Sequence, residues 1–159
     1  MSKMIICLAD PRHESSIPHL LPAPSFTHTL SMSAHRSITP GDAAAPVGPY
    51  SPGIGFERLI FVSGQAGRHP VTNEIAADIE GQTEQCLKNV ELILRAAGSD
   101  LQHVLRCGVF LIDMAEFPRM NAVYSRMFGG HRPARTTVQA AGLPGDQLKV
   151  EIDCIAYVP

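Results

Sequence analysis

An α+β fold, one mixed sheet carrying two helices on a single face, is predicted by the order of hydrophobic patterns along the 159 residues. The order is strand, strand, strand, helix, strand, helix, strand, strand. Its last strand alternates strictly. Leu148, Val150, Ile152, Cys154, Ala156 and Val158 form an apolar side, while Lys149, Glu151, Asp153, Ile155 and Tyr157 form the other. With helices on the first side, the second carries charge and aromatic groups and is free to become a subunit interface with a polar pocket.

Each element has a local reason. Gly53–Phe56 and Leu59–Ser63 read as strands joined by the two-residue turn Glu57-Arg58. Asp78 is a credible N-cap for a helix in which Ile79, Thr83, Cys86, Leu87, Val90, Ile93, Leu94 and Ala97 recur at helical spacing, and Gly98 closes it. Val104–Met114 is apolar on nearly both faces, as in a central strand covered on two sides. Glu116–Phe128 places Phe117, Met120, Tyr124, Met127 and Phe128 on one stripe, and Gly129-Gly130 ends that helix. The last two strands fall around Thr136–Ala140 and Leu148–Val158, with Leu143–Gln147 turning between them.

Composition bounds the partners. A hydrophobic share of 45% supports a packed core and excludes wholesale disorder. A formal charge of −2 and a sequence pI near 6.4 argue against a general electrostatic hold on nucleic acid or anionic lipid. No apolar run approaches the roughly 18–20 residues of a membrane span. All 13 glycines lie at or after Gly41, whereas seven of the 13 prolines and four of the seven histidines precede Tyr50. Residues 1–36, broken by Pro11, Pro18, Pro22 and Pro24, therefore read as a poorly ordered extension to a domain spanning 37–159. The extension makes a poor secretory signal, and its few basic residues, offset by Asp10 and Glu14, fit a mitochondrial address weakly. Cytoplasmic residence is expected, with mitochondrial import as the alternative. A product starting at Met32 would lose almost nothing that folds.

Several groups are candidates for chemistry. Cys7, Cys86, Cys107 and Cys154 form no C-x-x-C pair, and the last three sit on apolar faces, as buried reduced thiols do. No metal site is expected. Ser63-Gly64-Gln65-Ala66-Gly67 lacks the Lys-Ser/Thr ending of a phosphate loop. It reads as a tight turn, or as backbone able to approach a small ligand. Arg132 and Arg135 precede a strand, with Pro133 between them; an arginine fork there suits a carboxylate, and solvated surface arginines are the plainer reading. Glu151 and Asp153 are the nearest thing to paired carboxylates, either a general base when partly desolvated or an ordinary solvent face beside Lys149. Asn121, at the edge of the apolar stripe, points into a cleft or caps the side of its helix.

Three separated segments resemble the Rid (YjgF) family of reactive-intermediate or imine deaminases. They are Gly48-Pro49-Tyr50-Ser51 with Val62-Ser63-Gly64-Gln65; Phe117 through Tyr124; and Pro133-Ala134-Arg135 followed by Val150-Glu151-Ile152. The resemblance runs from about Ile38 to Pro159. It implies a chorismate-mutase-like fold, a homotrimer with clefts between subunits, and hydrolysis of enamines or imines such as 2-aminoacrylate to 2-oxo acids and ammonia, with no cofactor. By the same resemblance, Arg135 clamps the substrate carboxylate and Glu151 orients water and shuttles protons. Tyr50, Ser63, Gly64, Asn121 and Thr137 line the cleft. Where many members carry Ser-Cys, this chain has Thr136-Thr137, which bears on substrate preference and rate. A carboxylate-binding module without turnover is the alternative, and an RNA-directed translation inhibitor a lesser one.

Overall fold

The hairpin at Glu57-Arg58 anchors one end of the sheet. The computed structural model describes residues 34–159, where β2 (Gly53–Phe56) and β3 (Leu59–Ala66) pair antiparallel with Phe56 opposite Leu59. Glu57 takes φ 52°, as a two-residue hairpin turn demands, and Arg58 Nε donates to the Val158 carbonyl at 2.9 Å. A short β1 (Arg36–Ile38) pairs with β2. Residues 1–33 of the predicted 1–36 extension, Cys7 and Met32 among them, lie outside the described residues.

The other elements follow in the predicted order: α1 (Ile79–Ala96), β4 (Val104–Leu111), α2 (Phe117–Phe128), β5 (Ala134–Gln139) and β6 (Val150–Tyr157). Asp78 caps α1 by accepting from the Gly81 amide at 2.7 Å, and Gly98 follows the C-cap Ala97 with φ 83°. Gly129 ends α2. The strands lie in the order β1-β2-β3-β6-β4-β5, antiparallel except for the parallel pair β4·β5.

Both helices cover one face, α1 packing on β3, β6 and α2. Leu87, Ile93, Leu94, Val109 and Ile152 are buried between the layers, each contributing about 1.5–3 kcal/mol on transfer from water. Buried Gln82 ties the layers at their polar end. Its Nε2 donates to the Ala76 and Gln147 carbonyls at 2.8 and 2.9 Å, and its Oε1 accepts from the Lys149 amide at 2.8 Å. Among the described residues no element covers the opposite face, and Phe56, Leu59, Phe61 and Val138 are exposed on it.

Four expectations need correction. Strand β4 stops at Leu111 and, among the described residues, is covered by helices on one side only; its opposite side carries exposed Arg106 and half-buried Phe110. Ser63–Gly67 is not a tight turn, because β3 continues to Ala66 through a bulge: Ser63 and Gly64 fall between the pairs Val62↔Cys154 and Gln65↔Ile152. Arg135 does not precede its strand but lies within β5. Strand β6 begins at Val150, since Leu148 and Lys149 are still occupied by the loop and by Gln82.

Candidate functional site

Strand register sorts the candidate residues onto two faces. On β6, Val150, Ile152, Cys154 and Ala156 point under the helices, which leaves Glu151 and Asp153 on the open side. On β5, Arg135 is opposite Cys107 and Thr137 opposite Val109, both buried under the helices, so Arg135 and Thr137 belong to the helix-covered side. Arg135 and Glu151 of one chain therefore emerge on opposite faces of its sheet.

The open-face group is built on the β3 bulge. Gly64 lies directly beneath Glu151: a methyl group there would sit 2.7 Å from the Glu151 carboxyl carbon and collide with its oxygen. Ser63 donates its hydroxyl to the Ser51 carbonyl at 2.7 Å, and its amide donates to the Pro52 carbonyl at 3.0 Å. These bonds tie the segment carrying exposed Tyr50 to the bulge. Glu151 is half-buried. Desolvation, with the neighbouring Asp153 charge second, holds its carboxyl above the ordinary carboxylate range. Asp153 is itself seated on Gly108, whose amide donates to Oδ1 at 2.8 Å; a side chain at Gly108 would occupy that place. The arrangement offers a partly desolvated carboxylate of raised proton affinity over the bulge, suited to moving protons to and from water.

The helix-face group is centred on Arg135. Its Nη2 donates to Asn121 Oδ1 at 2.8 Å, and its guanidinium carbon lies 4.5 Å from the Tyr124 ring centroid and 5.6 Å from that of Phe117. Nη1 and Nε have no hydrogen-bond partner among the described residues. Asn121, Tyr124, Arg132 and Arg135 border a cavity of about 220 Å³ with no carboxylate in its lining, an environment that suits an anion. A cavity of about 350 Å³ at the end of α1 holds the mutually paired Glu91 and Arg95 and none of the predicted residues. The Thr137 hydroxyl is buried and without a partner among the described residues.

The structure thus gathers Ser63, Gly64 and Glu151, with the Tyr50 segment attached, and separately gathers Asn121 and Arg135, with Thr137 further along the same face of β5. It does not join the two groups within one chain. Sequence reasoning missed Tyr124 and Phe117 as neighbours of Arg135, reading both only as core. Their spacing with Asn121, at i, i+4 and i+7, puts all three on one helix face and was the available signal. It also missed Gly108 as the seat of Asp153. Burial raises the thiol of Cys107 to about 11 and pushes Cys86 and Cys154 up as well, so these free cysteines are poor nucleophiles. Among the described residues no His, Cys, Asp or Glu cluster could hold a metal ion, and no helix is long and apolar enough to cross a membrane.

The family model described as Endoribonuclease L-PSP matches residues 41–158. A 2-iminobutanoate/2-iminopropanoate deaminase of Escherichia coli is 38% identical over 124 residues, covering 76% of this chain and 96% of that protein. The chloroplastic Reactive Intermediate Deaminase A of Arabidopsis thaliana is 38% identical over 136 residues, covering 85% and 72%. A crystal structure of E. coli TdcF with bound serine superposes with a TM-score of 0.73 at 36% identity, covering 77% of this chain and 98% of that one.

Proposed function

The chain belongs to the Endoribonuclease L-PSP family, the Rid family of the sequence resemblance, and on that premise we propose that it hydrolyses enamine and imine intermediates to 2-oxo acids and ammonia. One observation carries the reading. The chain pairs an arginine with unused N–H donors, for a carboxylate, with a carboxyl of raised proton affinity, for water. A module that only bound carboxylates would need the first and not the second. The serine held by the TdcF structure, itself a small carboxylate, supports the class of ligand.

Because Arg135 and Glu151 lie on opposite faces, the proposed site takes Arg135, Asn121 and Thr137 from one chain and Tyr50, Ser63, Gly64 and Glu151 from another. The exposed apolar residues of the open face give a second copy something to bury, and closure of such a heterologous contact makes a ring, which the family resemblance implies is a trimer. In that site the carboxylate of the imine is held by the Arg135 fork. Glu151 takes a proton from water as its oxygen bonds to the imine carbon and passes it to the nitrogen, giving a carbinolamine; it then takes the hydroxyl proton and delivers it to the nitrogen as the C–N bond breaks and the carbonyl forms. Water and imine give 2-oxo acid and ammonia with no cofactor. An enamine first gains a proton at carbon and loses one from nitrogen to become the imine. Arranging these groups beside a substrate that already reacts with water supplies the acceleration.

The family's endoribonuclease description favours a second reading, action on RNA. Glu151 and Asp153 on the open face would repel phosphate, and the formal charge is −2. For the compartment, three buried free thiols fit a reducing interior, the cytoplasm in our reading. Mitochondrial import would show as a shortened intact mass of the native protein. The deciding experiment follows imines generated by an amino-acid oxidase from a panel of amino acids. Wild-type protein accelerates their loss and Arg135→Ala does not. No acceleration with any imine, together with cleavage of RNA, would reverse the assignment.

A further inference from the structure

The Arg135 guanidinium rests on aromatic rings drawn from α2, and these rings have no part in the chemistry described above. We propose that Tyr124, seconded by Phe117, is a positioning residue that fixes the Arg135 fork for the substrate carboxylate; this rests on the proposed role of Arg135 as that clamp.

An arginine side chain has several rotatable bonds, and a fork aimed at a carboxylate loses affinity when it must be ordered on binding. Asn121 Oδ1 fixes one nitrogen, at 2.8 Å. One hydrogen bond leaves rotation about that contact free. The Tyr124 ring, 4.5 Å from the guanidinium carbon, and the Phe117 ring, 5.6 Å away, remove that freedom. An aromatic face attracts the cation without taking an N–H donor, so the donors stay available to the ligand. A carboxylate in place of the rings would hold the arginine more strongly but compete with the substrate.

The platform is itself rigid. Tyr124 is 7% exposed and packs on Phe128 with ring centroids 4.5 Å apart. Its hydroxyl is buried beside the Cys107 thiol, and burial, with that thiol second, pushes the phenol far above its ordinary range. The contact with Arg135 is made by the ring face, so the ring is the working part of Tyr124 in this proposal.

The substrate carboxylate keeps its charge throughout hydrolysis, so a group that acts through Arg135 contributes equally in ground and transition states. It changes KM and leaves kcat alone. The test measures imine hydrolysis and, separately, calorimetric binding of 2-oxobutanoate, which needs the clamp but no turnover. For Tyr124→Leu the expectation is a KM and a Kd raised about tenfold with kcat within about twofold; Tyr124→Phe restores both constants. Phe117→Leu, at the margin of the core, raises them about threefold and serves where Tyr124→Leu does not fold. In an Arg135→Lys background, where the planar fork is gone, neither ring substitution has a further effect on Kd. Unchanged constants in folded Tyr124→Leu or Phe117→Leu, a loss confined to kcat, or a Tyr124→Phe protein that behaves like Tyr124→Leu would each overturn the proposal. Wild-type binding of 2-oxobutanoate without hydrolysis would remove the deaminase reading and leave the positioning role to be decided by Kd alone. Absence of both would remove the two together.

Discussion

The two faces of the sheet are built on opposite principles. On the helix-covered face, Arg135 is held by what surrounds it: an amide oxygen at 2.8 Å and two aromatic rings, all from α2. On the open face, Glu151 stands over a glycine and beside a second carboxylate, with nothing opposing its charge among the described residues. The first arrangement fixes a charge for binding; the second leaves a proton affinity raised and ready for exchange. The lesson is that the binding half and the proton-transfer half of the proposed site are made by different physics and, in our reading, by different chains.

The largest effect that sharpens this contrast is expected on the binding side. Arg135→Ala removes the two charge-assisted hydrogen bonds proposed to hold the substrate and should lower kcat/KM by about 10²–10³-fold, most of it in KM. Steady-state kinetics over a substrate series measures this, and a loss confined to kcat would move Arg135 to the chemical step. Next comes Gly64→Ala. Its methyl group must displace the Glu151 carboxylate, so kcat should fall about tenfold or more while 2-oxobutanoate still binds. An active Gly64→Ala protein would show that Glu151 does not work from this position.

Smaller effects concern charge. Ionised Glu151 is the proposed base, so activity rises with pH as this carboxyl ionises, above the usual carboxylate range. Asp153→Asn removes a neighbouring like charge, lowers that proton affinity and moves the acid limb of the pH–rate profile to lower pH. No shift, or one to higher pH, contradicts the coupling. Stability follows with a definite sign. The folded state binds this proton more tightly than the unfolded state does, so the carboxyl's contribution is full below its unfolded pKa and is lost as pH rises through the folded one. Glu151→Gln should therefore raise the thermal midpoint at neutral pH slightly and leave it unchanged in acid, which calorimetry can follow.

Much of the open face is legible in the sequence, because period-two alternation in β6 assigns Glu151 and Asp153 to one side without reference to any other strand. The hairpin, both helices and the Asp78 cap are local and equally legible. The face of Arg135 is not. It depends on the parallel register of β5 against β4, a pairing across nearly thirty residues of chain, and on the strand beginning at Ala134 rather than beyond Arg135. The bulge at Ser63-Gly64 is hidden for a related reason: it exists only relative to Asp153 on β6. Residues that look like a turn in isolation are an interruption of pairing in the sheet. Tyr124 reads as core because it is core, and Phe117 packs at its margin; the second use we propose for them appears only when Arg135 is brought beside them.

The central claim, that one chain supplies Arg135 and another Glu151, is tested most directly by mixing two inactive proteins. Arg135→Ala and Glu151→Gln chains, co-expressed or unfolded and refolded together in equal amounts, would share out randomly in the oligomer. About a quarter of the sites would then combine an intact Arg135 with an intact Glu151. At substrate concentrations well below KM, recovery of about a quarter of wild-type imine hydrolysis is expected from components that are each nearly inactive there. Activity that stays at the level of the separate variants, although the mixed oligomers have formed, would contradict it.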